Sequence, residues 1–416
     1  MHILLIHQFF LEDNSGGGSR WNEMSRIWVE AGHQVTVLAG SGHYMSSDVG
    51  WRQGYISKST NIHGVNIIRC RVSARYHDGF FGRIWAFLSF VISSIYAGLF
   101  HATGKYDLII VTSPPLFVGL VAQVMSMFKG IPFVLEVRDL WPESAIGAGV
   151  LKNRLLIKFA RIFERYLYKK AKLIAVLTPA FREVLIKQMN VASGKIFDAP
   201  NAADFRLSET SLADFDREIF RKQLGLSDRF VIIYVGAHGA ANHLIQLLDA
   251  AEKLNHTKAF FLLIGDGPQK KDLILESEKR GLRNVKFMDL MPKSEVFKFI
   301  AAADIGISVL KKADIFKTVY SNKTFDYFSC KKPVLMAIDG ISRKLIEEAD
   351  AGSYIEPECP DDLAAQIEFY MQNSDLLKTQ GENGYQYAKA HFDRNFLAAK
   401  YLKTLERLLS SEHSSA

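Results

Sequence analysis

The sequence predicts an α/β chain of two Rossmann-like domains, and three observations predict it. Residues 2–39 run apolar strand, glycine-rich loop, helix, strand, which is one βαβ unit. The same order starts again at Phe230–Gly236, passes through Ala237-His238-Gly239 and enters a helix expected over 243–254. A length of 416 residues suits two or three domains, and 48% apolar residues is enough to build their cores.

The first unit opens with an apolar run at residues 2–7, followed by Asp13-Asn14-Ser15-Gly16-Gly17-Gly18-Ser19-Arg20. Trp21, Met24, Ile27, Trp28 and Ala31 then recur at helical spacing, Gly32-His33 ends the helix, and Gln34–Ala39 is the next strand. Gly17 and Gly18 put free backbone amides at a helix start, where anions bind. A dinucleotide fingerprint is excluded, because the glycines are contiguous and no acidic residue closes the second strand at Ala39-Gly40.

Residues 41–80 read as loop and short strands, including Val65–Arg69. Ile84–Phe100 follows, seventeen residues without a charge. A single membrane crossing there would put strands 2–7 and 107–111 of one sheet on opposite sides of a bilayer. The segment is therefore a core helix or one lying in the interface. After Thr112-Ser113-Pro114-Pro115 and a further helix comes Phe133–Val137, whose C-terminal end carries Arg138-Asp139-Leu140-Trp141-Pro142-Glu143-Ser144. Parallel sheets bind ligands at such strand ends. Helix 151–170 is basic, with Arg154, Lys158, Arg161, Arg165, Lys169 and Lys170, and reads either as a solvated face or as a surface that meets anionic lipid. Leu207 to Asp216 reads as linker, and one amphipathic helix runs from about Asp393 into a frayed tail.

Composition narrows the partners. The net charge of +7 fits anionic lipid or phosphorylated substrates; no zinc-finger or RNA-recognition signature accompanies it, so nucleic acid is not expected. Cys70, Cys330 and Cys359 lie far apart without metal-ligand spacing, which points to free thiols in a reducing compartment. No signal peptide is read at the start, so the expected location is cytoplasmic, peripheral on the inner face of the cell membrane.

The stretch Tyr320–Leu335 carries Ser321-Asn322-Lys323 into a helix with Phe325, Asp326, Tyr327 and Phe328, then Lys332-Pro333 and a buried strand. Lys323 and Asp326 share a helical face, either as a surface ion pair or as partners of a phosphate and of ribose hydroxyls respectively. This stretch resembles the donor-site element of family-four retaining glycosyltransferases with the GT-B fold. Arg138-Asp139-Leu140-Trp141-Pro142-Glu143-Ser144 resembles the branch holding O-antigen and capsule N-acetyl-fucosamine transferases.

The resemblance implies two Rossmann-like domains facing across a cleft: an acceptor domain over 1–204, a donor domain over 205–392, and a helix from 393 packing back on the first. It implies transfer of a hexosyl or N-acetylhexosaminyl group from a nucleotide-sugar to a glycan or polyprenyl-diphosphate-linked acceptor. The membrane surface would be anionic, the stereochemistry retaining, and neither metal nor cofactor needed, because cations and helix N-termini stabilise the leaving diphosphate. Arg138, Asp139 and Glu143 are the implied catalytic residues. Gly17, Gly18, His238, Gly239, Asn242, Asp266, Met288, Asn322, Lys323 and Asp326 are the implied donor contacts. The match departs at Thr318, where relatives carry the first of two acidic residues, and at Ala237 and Asn242, where many carry an Arg and a Lys. A UDP-sugar 2-epimerase and a catalytically inactive sugar-nucleotide-binding subunit are the alternative functions.

Overall fold

The computed structural model describes residues 1–12, 15–41, 55–77, 79–147, 149 and 151–413. Asp13 and Asn14, the side chains of Phe80, Phe81 and Arg83, part of the loop expected over 41–80, and the end of the tail lie outside the described residues. Two compact units result. One comprises Met1–Asn14, Gly18–Pro200 and Asn395–Ala416; the other comprises Ser15–Gly17 and Asn201–Arg394.

The first unit holds β1 His2–Ile6, β2 Gln34–Gly40, β3 Ile56–Thr60, β4 Asn66–Cys70, β5 Leu108–Ser113, β6 Phe133–Val137, β7 Leu173–Val176 and β8 Ile196–Asp198. Their order in the sheet is β3-β4-β2-β1-β5-β6-β7-β8, parallel except for β3 against β4. The chain leaves β1 toward β2 on one side and returns to β5 on the other, so the strand order reverses at β1/β5. Helices cover both faces of such a sheet, which is why β1, β5 and β6 are buried along nearly their whole length rather than at alternate residues. Helix Arg394–His413 gives this unit Ala398, Tyr401, Leu402 and Leu405 as core residues. Trp28 Nε1 donates to Ala398 O at 3.0 Å, and the Tyr401 ring meets the edges of Trp21 and Phe197.

Helix Gly79–Phe100 packs one face into the core and leaves another exposed. Ala86, Phe90, Val91 and Ala97 are buried, while Trp85, Ile92, Tyr96 and Phe100 stay exposed. No described helix is long and apolar enough to cross a membrane.

The second unit holds β9 Phe230–Val235, β10 Ala259–Ile264, β11 Val285–Met288, β12 Ile305–Val309, β13 Val334–Ala337 and β14 Gly352–Tyr354. All are parallel, in the order β11-β10-β9-β12-β13-β14, with the reversal at β9/β12. One reading needs correction. Phe205–Ser211 is a helix, not linker: the Asp204 carboxylate caps it by accepting from Leu207 N, and Phe205 packs edge-on against Tyr385. Its polar composition hid one buried aromatic and one buried serine, Ser208.

Candidate active site

In the second unit the C-terminal ends of β9, β10 and β11 are aligned, Val235 opposite Ile264 and Ile264 opposite Met288. The loops that leave them meet immediately. A Cβ on Gly265 would fall 1.9 Å from Gly236 O, and one on Gly267 2.6 Å from His238 O. Both glycines have φ near +150°, so the crossing requires glycine for conformation as well as for space. Gly236 itself, at φ 148°, faces Lys323, whose Cε and Nζ lie 3.2 and 3.7 Å from its would-be Cβ.

Helix Asn322–Ser329 brings Lys323 there. Tyr327, wholly buried, anchors that helix: its hydroxyl donates toward Ile233 O and Ile307 O and accepts from Val235 N. These groups belong to β9 and β12, which pair only through Ile232 and Ile233 before they splay. Tyr327 therefore fills the reversal point, and Gly306 is bare because a Cβ would strike the ring at 2.4 Å. Beneath the helix, Ser308, Ser321, Thr324 and Ser342 share buried hydroxyl bonds.

Lys323 rests its ammonium 4.8 Å from the centre of the Tyr234 ring, a cation–π contact. Loss of hydration pulls its pKa down to about 8, against the pull of Asp326. Asp326 does not pair with it directly; it bonds Lys293 Nζ at 3.0 Å. The Asn322 side-chain oxygen accepts from Asn201.

The other implied donor residues divide. Gly239 is partly exposed; a Cβ there would meet only the Asn242 side chain, at 3.7 Å. The helix after this loop starts at Ile245, two residues later than expected, and His243 at φ 48° turns the chain into it. Lys311 N donates to Ala241 O, which brings a second lysine to the loop. Asp266 spends a carboxylate oxygen on Gly267 N, at 2.7 Å.

His238 departs from its implied role. Its ring has no exposed surface, lies between Tyr234 and Phe287, and bonds through neither nitrogen. Burial, assisted by nearby Lys270, lowers its pKa to about 4, so it is neutral at pH 7 and presents no donor at the surface. Met288 contributes its carbonyl, which takes bonds from Gly265 N and Lys270 Nζ. Lys270 also reaches Gly265 O and Asp289, stapling the loop ends together. Nothing in the sequence marked that lysine. Thr318 turns its hydroxyl back to Ile315 O at 2.6 Å.

Gly17, which belongs to the second unit, takes φ 136°; in the first unit, a Cβ on Gly18 would meet nothing within 4 Å. Arg20, expected only as the end of a loop, is a central brace. Its guanidinium forks Glu136 at 3.2 and 3.0 Å and bonds Ala199 O and Pro200 O. Glu136, fully buried inside apolar β6, also lies 3.9 Å from Arg138. A carboxylate in the middle of a five-residue apolar strand was the available signal. Burial raises the pKa of Asp139 although Ser144 and the Leu140 backbone bond it. Glu143 takes a two-pronged bond from Arg161, at 2.9 and 3.1 Å, so the structure braces it against the basic helix Arg154–Lys170.

Asp214-Phe215-Asp216 has Asp-x-Asp spacing. Here Asp216 accepts from Glu218 N and Ile219 N as the N-cap of helix Arg217–Leu224. Among the described residues no cluster of His, Cys, Asp or Glu has metal-binding geometry.

Residues 15–202 match the family described as Glycosyl transferase 4-like domain, and 216–387 that described as Glycosyl transferases group 1. The chain is 24% identical to the putative colanic acid biosynthesis glycosyl transferase WcaI of Escherichia coli K12, over 75% of this chain and 77% of that protein. Its fold is similar to sucrose-phosphate synthase of Thermosynechococcus elongatus, with TM-score 0.76 and 16% identity over 99% of each chain. It is also similar to Anabaena HepE in complex with UDP-glucose, with TM-score 0.71 and 18% identity over 98% of this chain and 100% of that one. With both halves matched in order on two Rossmann-like units, the chain belongs to the group 1, family-four-like glycosyltransferases of the GT-B fold.

Proposed function

We propose that this enzyme transfers a hexosyl or N-acetylhexosaminyl group, with retention and without a metal, from a nucleotide diphosphate sugar to a lipid-linked glycan during polysaccharide assembly at a membrane surface. The observation that carries the reading is Lys323. Among the described residues its partly dehydrated ammonium bonds to no side chain or carbonyl, and it stands beside Gly236, where the β9 and β10 loops cross next to the β9/β12 reversal. A cation held this way attracts a diphosphate strongly, because little water must be displaced to reach it. UDP-glucose in the HepE structure and colanic acid in the WcaI description support the donor class and the polymer.

The roles follow from position. Lys323 and the amides around Gly239 hold the diphosphate as it leaves, Asp326 takes ribose hydroxyls, and the departing phosphate oxygen receives the acceptor proton. Arg138 and Asp139, at the end of β6, attend the acceptor and the reacting sugar. Thermal shifts with a panel of UDP-, GDP- and TDP-sugars, then radiolabelled transfer to lipid extract, test the reading. Lys323→Ala should weaken donor binding by about 1.5–3 kcal/mol, and transfer should survive excess EDTA. Epimerised free sugar would install the epimerase, and donor binding without turnover the inactive subunit.

A further inference from the structure

Helix Arg154–Lys170 is turned inside out. Its inward face is Ala160, Glu164, Leu167 and Tyr168, with Glu164 only 2% exposed. Leu155, Phe159 and Ile162 face outward at 78, 56 and 58% exposure, with Tyr166 continuing the row. The spacing 155, 159, 162, 166 is one continuous stripe along a helix. Arg154, Lys158, Arg161, Arg165 and Lys169 form a second stripe, one residue behind the first. A groove of about 480 Å³ opens here, lined by Arg154, Lys158, Arg161 and Arg165 with Ile146 and Ile157. Among the described residues, only Arg161 of these is paired with a carboxylate, that of Glu143.

Neighbouring helices extend the apolar part. Helix Gly119–Lys129 packs against both Arg154–Lys170 and Gly79–Phe100, and leaves Met127 and Phe128 exposed.

We propose that this groove holds the phosphate-bearing headgroups of an anionic bilayer, with Leu155, Phe159 and Ile162 set into the interface. The site deepens the membrane part of the function proposed above. Charge and shape select the occupant. A soluble anion would satisfy the cations and leave the apolar stripe in water. A second copy meeting face to face would oppose two rows of arginine and lysine. A bilayer supplies phosphate and hydrocarbon within one side-chain length of each other, and long basic side chains reach back to the phosphate level while apolar neighbours go deeper.

The test uses the full chain with phosphatidylcholine vesicles, with and without phosphatidylglycerol, at low and high salt. The wild type should sediment with anionic vesicles only, and less at high salt. Arg154→Glu with Lys158→Glu should lower that partition by at least about tenfold, because each basic residue adds about a factor of five at an anionic surface. Phe159→Ser with Ile162→Ser should lower it at low salt too. All four side chains changed here are exposed, so melting temperature and nucleotide-sugar binding should stay at wild-type values in both variants. Unchanged vesicle binding in either variant overturns the proposal. So does pyrophosphate binding lost in the charge variant without vesicle binding, or a dimer abolished by the serine variant in sedimentation. Vesicle binding without any nucleotide-sugar binding would instead sink the transferase reading and leave this site standing.

Discussion

At the scale of single residues, Lys323 sets the donor chemistry through its surroundings rather than its identity alone. Dehydration against Tyr234 brings its pKa to about 8, so the free protein loses this proton two to three pH units below a lysine in water. The signs of the two consequences differ. Donor affinity should be level below about pH 8 and fall above it, since a neutral amine no longer attracts diphosphate. Folding stability should gain from this group as pH rises from about 8 toward the ordinary lysine range, because there the unfolded chain holds the extra proton. Calorimetric Kd against pH checks the first; Lys323→Arg should remove the break. A break that persists in the arginine variant would assign the titration to another group. His238 behaves oppositely to its sequence appearance, as a neutral buried ring that contributes packing.

At the scale of elements, the donor site depends on helix Asn322–Ser329 being locked to two diverging strands. Tyr327 is the lock, and its hydroxyl is the partner of Val235 N. Tyr327→Phe keeps the ring and leaves a buried backbone N–H without an acceptor, a loss of about 1–3 kcal/mol. Urea unfolding followed in the second unit should show that loss, with weaker donor binding because Lys323 is carried on the same helix. An unchanged midpoint and unchanged affinity would mean the hydroxyl is dispensable. Helix Phe205–Ser211 and the Asp216 cap carry the same lesson: short polar segments acquire structure from one carboxylate placed at a helix start.

At the scale of the whole molecule, the last helix completes the core of the first unit, although 194 residues of the second (Asn201–Arg394) come before it in the chain. Tyr401 is the residue to test. Its ring meets Trp21, Trp28 and Phe197, while its hydroxyl is buried and bonds to nothing described. Tyr401→Ala should destabilise the first unit by about 3–5 kcal/mol. Tyr401→Phe should leave its melting temperature unchanged or raised, since a dehydrated hydroxyl without a partner only costs stability. Donor binding in the second unit should survive both. A lower melting temperature for the phenylalanine variant would show that the hydroxyl has a partner in solution, such as water.

The sequence by itself determined the two βαβ-based units, the glycine loops at their strand ends and the motifs that carry the family, because apolar periodicity and glycine placement are local signals. It also placed Lys323 on the helix that begins the donor element. Only the tertiary structure decided who pairs with whom. Arg20 meets Glu136 across 116 positions, Asp326 chooses Lys293 over Lys323, and Glu143 goes to Arg161 of the basic helix. Tyr327 binds carbonyls of two strands whose separation no local pattern encodes. Ion pairs and buried hydrogen bonds are settled by which surfaces pack together, and that follows from how the sheets are ordered. Periodicity along the chain reports which face of an element is buried; it carries no information about what that face is buried against.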